Sequence, residues 1–199
     1  MSKLKIGIII GTTRKARFGD RPAAWIEALA GTRNDMDVEI FDLAEYPMPF
    51  FEEMRSPAYG APTDPNALRW NAKMADLDGY IFITAEYNHS MAGALKNALD
   101  YGYYEYNRKP AAFVAYGGVG GARAVEQLRL VAVELQLAPL RTAVHIGMEP
   151  MMAVMKGEKA IADFEFLNDS GTKLLDDLAW WTSALKTARD AGSTKAAAA

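Results

Sequence analysis

Three short segments of this 199-residue chain gather residue types able to hold a ligand. The first reads Gly11-Thr12-Thr13-Arg14-Lys15-Ala16-Arg17-Phe18-Gly19-Asp20. Hydroxyls, backbone N–H groups and the start of a helix can meet an anion there, and Arg14 and Arg17 add forked, charged donors. No Gly-Lys-Ser/Thr triplet or Gly-x-Gly-x-x-Gly fingerprint is present. What remains suits a terminal phosphate monoester. The second segment begins Ala85-Glu86-Tyr87-Asn88-His89-Ser90 and runs on to Tyr101. Its backbone can line the edge of a flat ring, with Tyr87 as a wall. Asn88 and Ser90 are expected to fix the turn, Ser90 as a helix cap. The third is Tyr116-Gly117-Gly118-Val119-Gly120-Gly121-Ala122-Arg123. Its glycines let backbone approach a ligand closely. Arg123, in a first helical turn, opposes the helix dipole, which points to an anion or cofactor contact.

Composition removes other chemistries. There is no cysteine, which excludes thiol catalysis, disulfides and Cys-ligated metals. Two histidines, His89 and His145, leave little for a metal site, and none is expected. Glu86, His89 and Ser90 are neighbours without a nucleophile elbow, so a hydrolase is set aside. A formal charge of −3 gives no global attraction to nucleic acid. No apolar stretch nears the roughly 18 residues of a membrane span. The apolar start lacks a cleavage site and reads as a strand, not a secretory signal. Cytoplasmic residence is expected.

The elements that must position these segments follow from hydrophobic patterning. Residues 4–10, 38–41, 79–84, 111–116 and 140–146 read as strands. The first, third and fourth are continuously apolar, as strands covered on both faces are. Helical patterns separate them at 22–29, behind Asp20 as a possible cap, and at 68–77, 93–101 and 122–137. A last helix is expected at 171–189. The alternation predicts an α/β three-layer sandwich: a five-stranded parallel sheet of flavodoxin-like order 2-1-3-4-5 with helices on both faces. Ligands then bind at the C-terminal strand ends, where all three segments fall. Residues 1–190 are expected to form a single domain. Residues 191–199 read as a disordered tail or a remnant of expression. Residues 46–66 hold several prolines together with Phe50, Phe51 and Met54. They read as an ordered lid or subunit contact.

Taken together, the three segments resemble the NAD(P)H-dependent FMN reductases, which include quinone, azo-dye and chromate reductases. The most specific part is Glu86-Tyr87-Asn88-His89-Ser90 followed by Gly93-x-Leu95-Lys96-Asn97-Ala98-x-Asp100. The resemblance runs from about Lys5 to Leu185. It departs at Met91-Ala92, where the family commonly has Pro, and at Thr12, where many members have Ser. The resemblance implies that Thr12, Arg14, Arg17, Phe18 and Gly19 bind the FMN phosphate. It implies that Glu86, Tyr87, Asn88 and Ser90 line the ribityl chain and ring, and that Tyr116, Gly117, Gly118 and Gly121 close around the ring's polar edge. NADPH or NADH would give a hydride to the flavin, and a small acceptor would take two electrons. No catalytic side chain is implied, because the flavin carries the chemistry. A homodimer or homotetramer is implied, with residues 46–66 and Tyr101, Tyr103, Tyr104 and Tyr106 as candidate contacts. The alternatives on the same fold are a non-enzymatic electron carrier and a flavin-dependent redox-sensing module.

Overall fold

A computed structural model describes residues 3–197. The strands are β1 (Leu4–Ile10), β2 (Met36–Asp42), β3 (Gly79–Ala85), β4 (Pro110–Tyr116) and β5 (Ala138–Ile146). They form one parallel sheet in the order β2-β1-β3-β4-β5. β3 and β4 are buried at every residue. β2, at an edge, is buried only at Met36 and Phe41. Interior parallel strands are covered on both faces, which is why they read as unbroken apolar runs.

The helices are α1 (Asp20–Ala30), α2 (Pro65–Ala75), α3 (Gly93–Asp100), α4 (Ala122–Glu134), α5 (Met148–Met155) and α6 (Glu165–Ala197). α1 and α6 cover one face, where Trp25, Ile26, Leu174 and Leu178 meet Ile8, Ile81 and Val114. α2, α3 and α4 cover the other, where Trp70, Leu95 and Leu128 meet Ile9, Phe82 and Phe113. The expected three-layer sandwich is the observed one.

Helix boundaries shift for local reasons. α2 starts at Pro65, with the Asp64 carboxylate accepting from the Ala67 N–H at 2.9 Å. α6 does not start at Gly171. A Cβ there would lie 2.7 Å from Trp25, so this glycine serves close packing within a helix that begins at Glu165. α6 runs on to Ala197. Alanine, abundant there, is the strongest helix former. Residues 198 and 199 lie outside the described residues. The sequence pattern does not announce α5. Its helix starts after Gly147, with Pro150 in the first turn, where a missing N–H costs nothing.

Residues 46–66 are ordered. Asn97 on α3 donates to the Pro49 carbonyl at 2.7 Å and accepts from the Phe51 N–H at 2.9 Å. The Phe51 ring meets Tyr101 edge-on at 5.2 Å. Glu53 accepts from the Thr63 and Asp64 N–H groups at 2.7 and 3.2 Å. The proposed tyrosine contact surface dissolves in part. Tyr101 and Tyr106 are core residues, and Tyr106 accepts from the Trp70 indole at 2.8 Å. Tyr104 is exposed.

Candidate functional site

Parallel strands put all their C-terminal ends on one side. The segments that follow β1, β3 and β4 therefore converge, as the sequence pattern requires.

The first loop leaves β1 at Gly11, whose N–H donates to the Ile83 carbonyl at 2.8 Å. Thr12 is buried, and its hydroxyl shares a hydrogen bond of 3.2 Å with the Tyr116 phenol. Burial pushes the Tyr116 phenol up to about 12, against the pull of the Thr12 hydrogen bond. Tyr116 therefore stays neutral through the physiological range. Phe18 turns inward, edge-on to Tyr116 at 5.1 Å. Gly19 closes the loop where a Cβ would lie 2.9 Å from the Thr12 hydroxyl and 3.2 Å from the Tyr116 oxygen. A larger residue would displace the floor. Above that floor, Thr13, Arg14 and Lys15 are exposed, and none of the N–H groups of residues 13–16 donates to the backbone. Free amides and exposed cations fit a phosphate group. Arg14 lies over the Tyr87 ring at 5.7 Å, joining the first loop to the second.

Arg17 is placed differently from its neighbours. Its Nε donates to Asp20 at 2.9 Å, and Nη2 to Asp20 at 2.6 Å. Nη1 donates to the Thr12 carbonyl at 2.8 Å and to Asp42 at 2.6 Å, and Nη2 to Asp42 at 2.5 Å. An arginine has five N–H groups, and these contacts occupy all of them. Hydrogen bonds to Asp42 and Asp20 raise the guanidinium's pKa further above its ordinary value. Asp42 escaped the sequence reading. The one signal for it is topological: β2 and β1 pair Asp42 with Ile10, so β2 ends beside the first loop.

The second loop is a tight hairpin. Tyr87 and Ser90 exchange backbone hydrogen bonds of 2.9 and 3.1 Å. Asn88 and His89 both have positive φ, 48° and 72°. That pairing is the type I′ geometry, which Asn tolerates better than His. Ser90 does not cap α3. The N-cap is Ala92, whose N–H is bound by the Thr84 hydroxyl at 3.2 Å.

In the third loop, Gly121 has φ +71°, and a Cβ would lie 2.6 Å from Ala115 and 2.8 Å from the Tyr116 nitrogen. This glycine lets the start of α4 press onto the end of β4. Gly118 is exposed, and Gly117 is partly so. Arg123 does not face an empty anion site. Its Nε donates to Glu86 at 2.6 Å and its backbone N–H to Glu86 at 3.2 Å, with an ion pair through Nη2. The Glu86 side chain is only 4% exposed. Glu86 thus neutralises the start of α4 and ties the second loop to the third.

The structure brings Thr12, Arg14, Glu86, Tyr87, Tyr116 and Gly117 to one end of the sheet, and directs the side chains of Phe18, Arg17 and Glu86 into the protein. His145 is exposed and bonded through Nδ1 to the Gly120 carbonyl at 3.1 Å. No cluster able to hold a metal occurs among the described residues.

A family profile described as NADPH-dependent FMN reductase matches residues 4–150. The chain belongs to this family. An NAD(P)H-dependent FMN reductase of Schizosaccharomyces pombe is 35% identical over 146 residues, covering 71% of this chain and 73% of that one. A 2-hydroxy-1,4-benzoquinone reductase of a Burkholderia species is 31% identical over 141 residues, covering 67% and 73%. Among solved structures, a flavoenzyme NAD(P)H:(acceptor) oxidoreductase of Paracoccus denitrificans superposes with a TM-score of 0.64 at 21% identity. That superposition covers 91% of this chain and 98% of the other, and it supports the fold. As a family member, the chain is an oxidoreductase that works with FMN and NAD(P)H. The matched region spans β1 to the start of α5 and includes all three loops.

Proposed function

We propose that this protein passes electrons from NAD(P)H through FMN to a small acceptor, with quinones foremost and azo compounds, chromate and free flavin as further candidates. The carrying observation is the convergence of a cationic, amide-rich first loop with two ring-lining loops on one sheet end. FMN, when bound, accepts a hydride from the nicotinamide and returns two electrons to the acceptor. The protein's own residues bind and orient. Arg14, with the amides of residues 13–16, takes the phosphate, and Thr12, Phe18, Gly19 and Tyr116 form the floor beneath it. Tyr87 walls the ring. Asn88 and Ser90 shape the hairpin. The backbone of Glu86, Gly117 and Gly118 meets the ring edge, and Gly121 seats α4. No side chain here is required to move a proton.

The quinone preference is supported by the Burkholderia relative. A homodimer or homotetramer, cytoplasmic residence and a single domain over residues 1–190 belong to the same proposal. The exposed Phe50, Met54, Tyr59 and Tyr104 support a subunit contact. Among the described residues, no helix is long and apolar enough to cross a membrane.

The test is the visible spectrum of the protein with FMN, followed anaerobically as NADPH is added. Perturbed flavin absorption that bleaches rapidly is expected. A spectrum identical to free FMN, without protein-dependent bleaching, overturns the proposal. Steady NADPH oxidation with a quinone and no partner protein then separates an enzyme from an electron carrier.

A further inference from the structure

We propose that Asp42 lowers the affinity for FMN by holding Arg17 away from the cofactor phosphate. The inference rests on the FMN reading above and goes beyond it by naming what tunes the phosphate site.

Arg17 occupies the loop that must receive the phosphate, yet it has no N–H left to offer. Asp42 takes two of its donors in the bidentate geometry that suits guanidinium and carboxylate best, at 2.6 and 2.5 Å. Asp20 takes Nε and the other Nη2 donor, and the Thr12 carbonyl takes the last. A phosphate reaching Arg17 must displace a carboxylate that is already well placed.

Asp42 cannot easily follow. It ends β2, in register with Ile10, and its Oδ1 also accepts from the Ala44 N–H at 2.8 Å. Its side chain is 21% exposed, so solvent compensates little for a lost partner. Burial alone would raise its carboxyl, but Arg17 and the Ala44 N–H hold it below the usual range. It is charged throughout the neutral range. Asp20 is more exposed, at 57%, and is the looser of the two partners.

The consequence is electrostatic. The loop's sequence shows Arg14, Lys15 and Arg17, which suggests three charges for a phosphate. Arg17 is cancelled by two carboxylates. The phosphate therefore meets Arg14 and Lys15, beside a cluster of Arg17, Asp20 and Asp42 whose net charge is negative.

Asp42→Asn tests this. Asparagine keeps the shape and the acceptor for the Ala44 N–H but removes the charge. FMN and riboflavin dissociation constants would be measured by flavin fluorescence, and FMN release by stopped flow. Asp42→Asn is expected to tighten FMN by about tenfold, the scale of one charge-assisted hydrogen bond, with slower release and a steeper loss of affinity in salt. Riboflavin, lacking the phosphate, should bind as it does to the wild type. A merely structural role for Asp42 would not improve FMN binding or separate the two ligands. The gain should vanish in the Asp42→Asn/Arg17→Gln double variant. Unchanged or weaker FMN binding in a folded Asp42→Asn protein overturns the inference. If that variant does not fold, Asp20→Asn, at an exposed carboxylate, should give a smaller gain of the same sign, and no gain there overturns it too. A wild type that binds neither flavin instead overturns the functional reading, and this inference with it.

Discussion

The loop after β1 and the pair of loops after β3 and β4 are held by different physics. The first is held by charge. Arg17 gathers Asp20, Asp42 and the Thr12 carbonyl into one knot. The other two are held mainly by backbone shape: two left-handed residues in the hairpin, and left-handed Gly121 pressed onto Ala115. Their one ion pair, Glu86 with Arg123, joins two shapes already set. Charge in the first loop can therefore change without disturbing the shape of the other two.

Substitutions can break that contrast. The largest effect is expected at Gly121. Gly121→Val adds a β-branched side chain at φ +71° with contacts of 2.6 and 2.8 Å. Overpacking and left-handed strain together should cost about 3 kcal/mol. A denaturant melt should show it, and flavin binding should be lost with it. A melt within error of wild type would mean that the α4 start can shift freely.

Arg123→Ala comes next. It leaves the buried Glu86 carboxylate with only the Arg123 backbone donor. An under-satisfied buried acceptor costs about 1–3 kcal/mol, and the exposure of Arg123 argues for the lower half of that range. FMN and riboflavin should weaken in parallel, since the ring loops are what moves. Arg14→Ala should behave oppositely. FMN should weaken by about tenfold, while riboflavin is spared. If both flavins weaken equally in the Arg14 variant, the phosphate has been assigned to the wrong loop.

Acid should open the charge-held loop selectively. Asp42 has a folded pKa below its usual value near 3.8. The unfolded chain then binds the proton more readily, so stability rises with pH through that window. The contribution is fully present above 3.8 and is lost as pH falls through the lowered folded value. Asp42→Asn should flatten the acid side of the stability profile, read by denaturation between about pH 2 and 5. An unchanged slope would remove Asp42 from the linkage. The smallest effect is expected at His89. His89→Gly relieves a non-glycine at φ 72° and should stabilise by about 0.5 kcal/mol, offset in part by glycine's greater unfolded freedom. A clear loss of stability would mean that the imidazole makes contacts that outweigh the strain.

Much of the architecture was legible because it rests on local pattern. The bounds of β1 and the start of α4 emerge from apolar runs and from glycines that end them. Asp64-Pro65 announces α2. The misses have a common cause. Gly171 looks like a helix start until Trp25 is packed against it. Tyr101 and Tyr106 look like interface aromatics until α2 and the strap at 46–66 close over them. Ser90 looks like a cap until the hairpin places it two residues before the N-cap, Ala92.

The sequence by itself determined the strand order, the end of the sheet where the candidate site lies, and the three loops that meet there. All three follow from hydrophobic periodicity and the handedness of parallel crossovers. Only the tertiary structure decided which charges in those loops are available. Arg14 and Arg17 lie three residues apart and read alike. One is exposed over Tyr87, and the other is neutralised by a carboxylate 25 residues away. Glu86 and Arg123, read as separate ligand contacts, are each other's partners across 37 residues. Whether a charge is free depends on distance in space, and spacing along the chain does not encode that distance until the sheet has put two strand ends side by side.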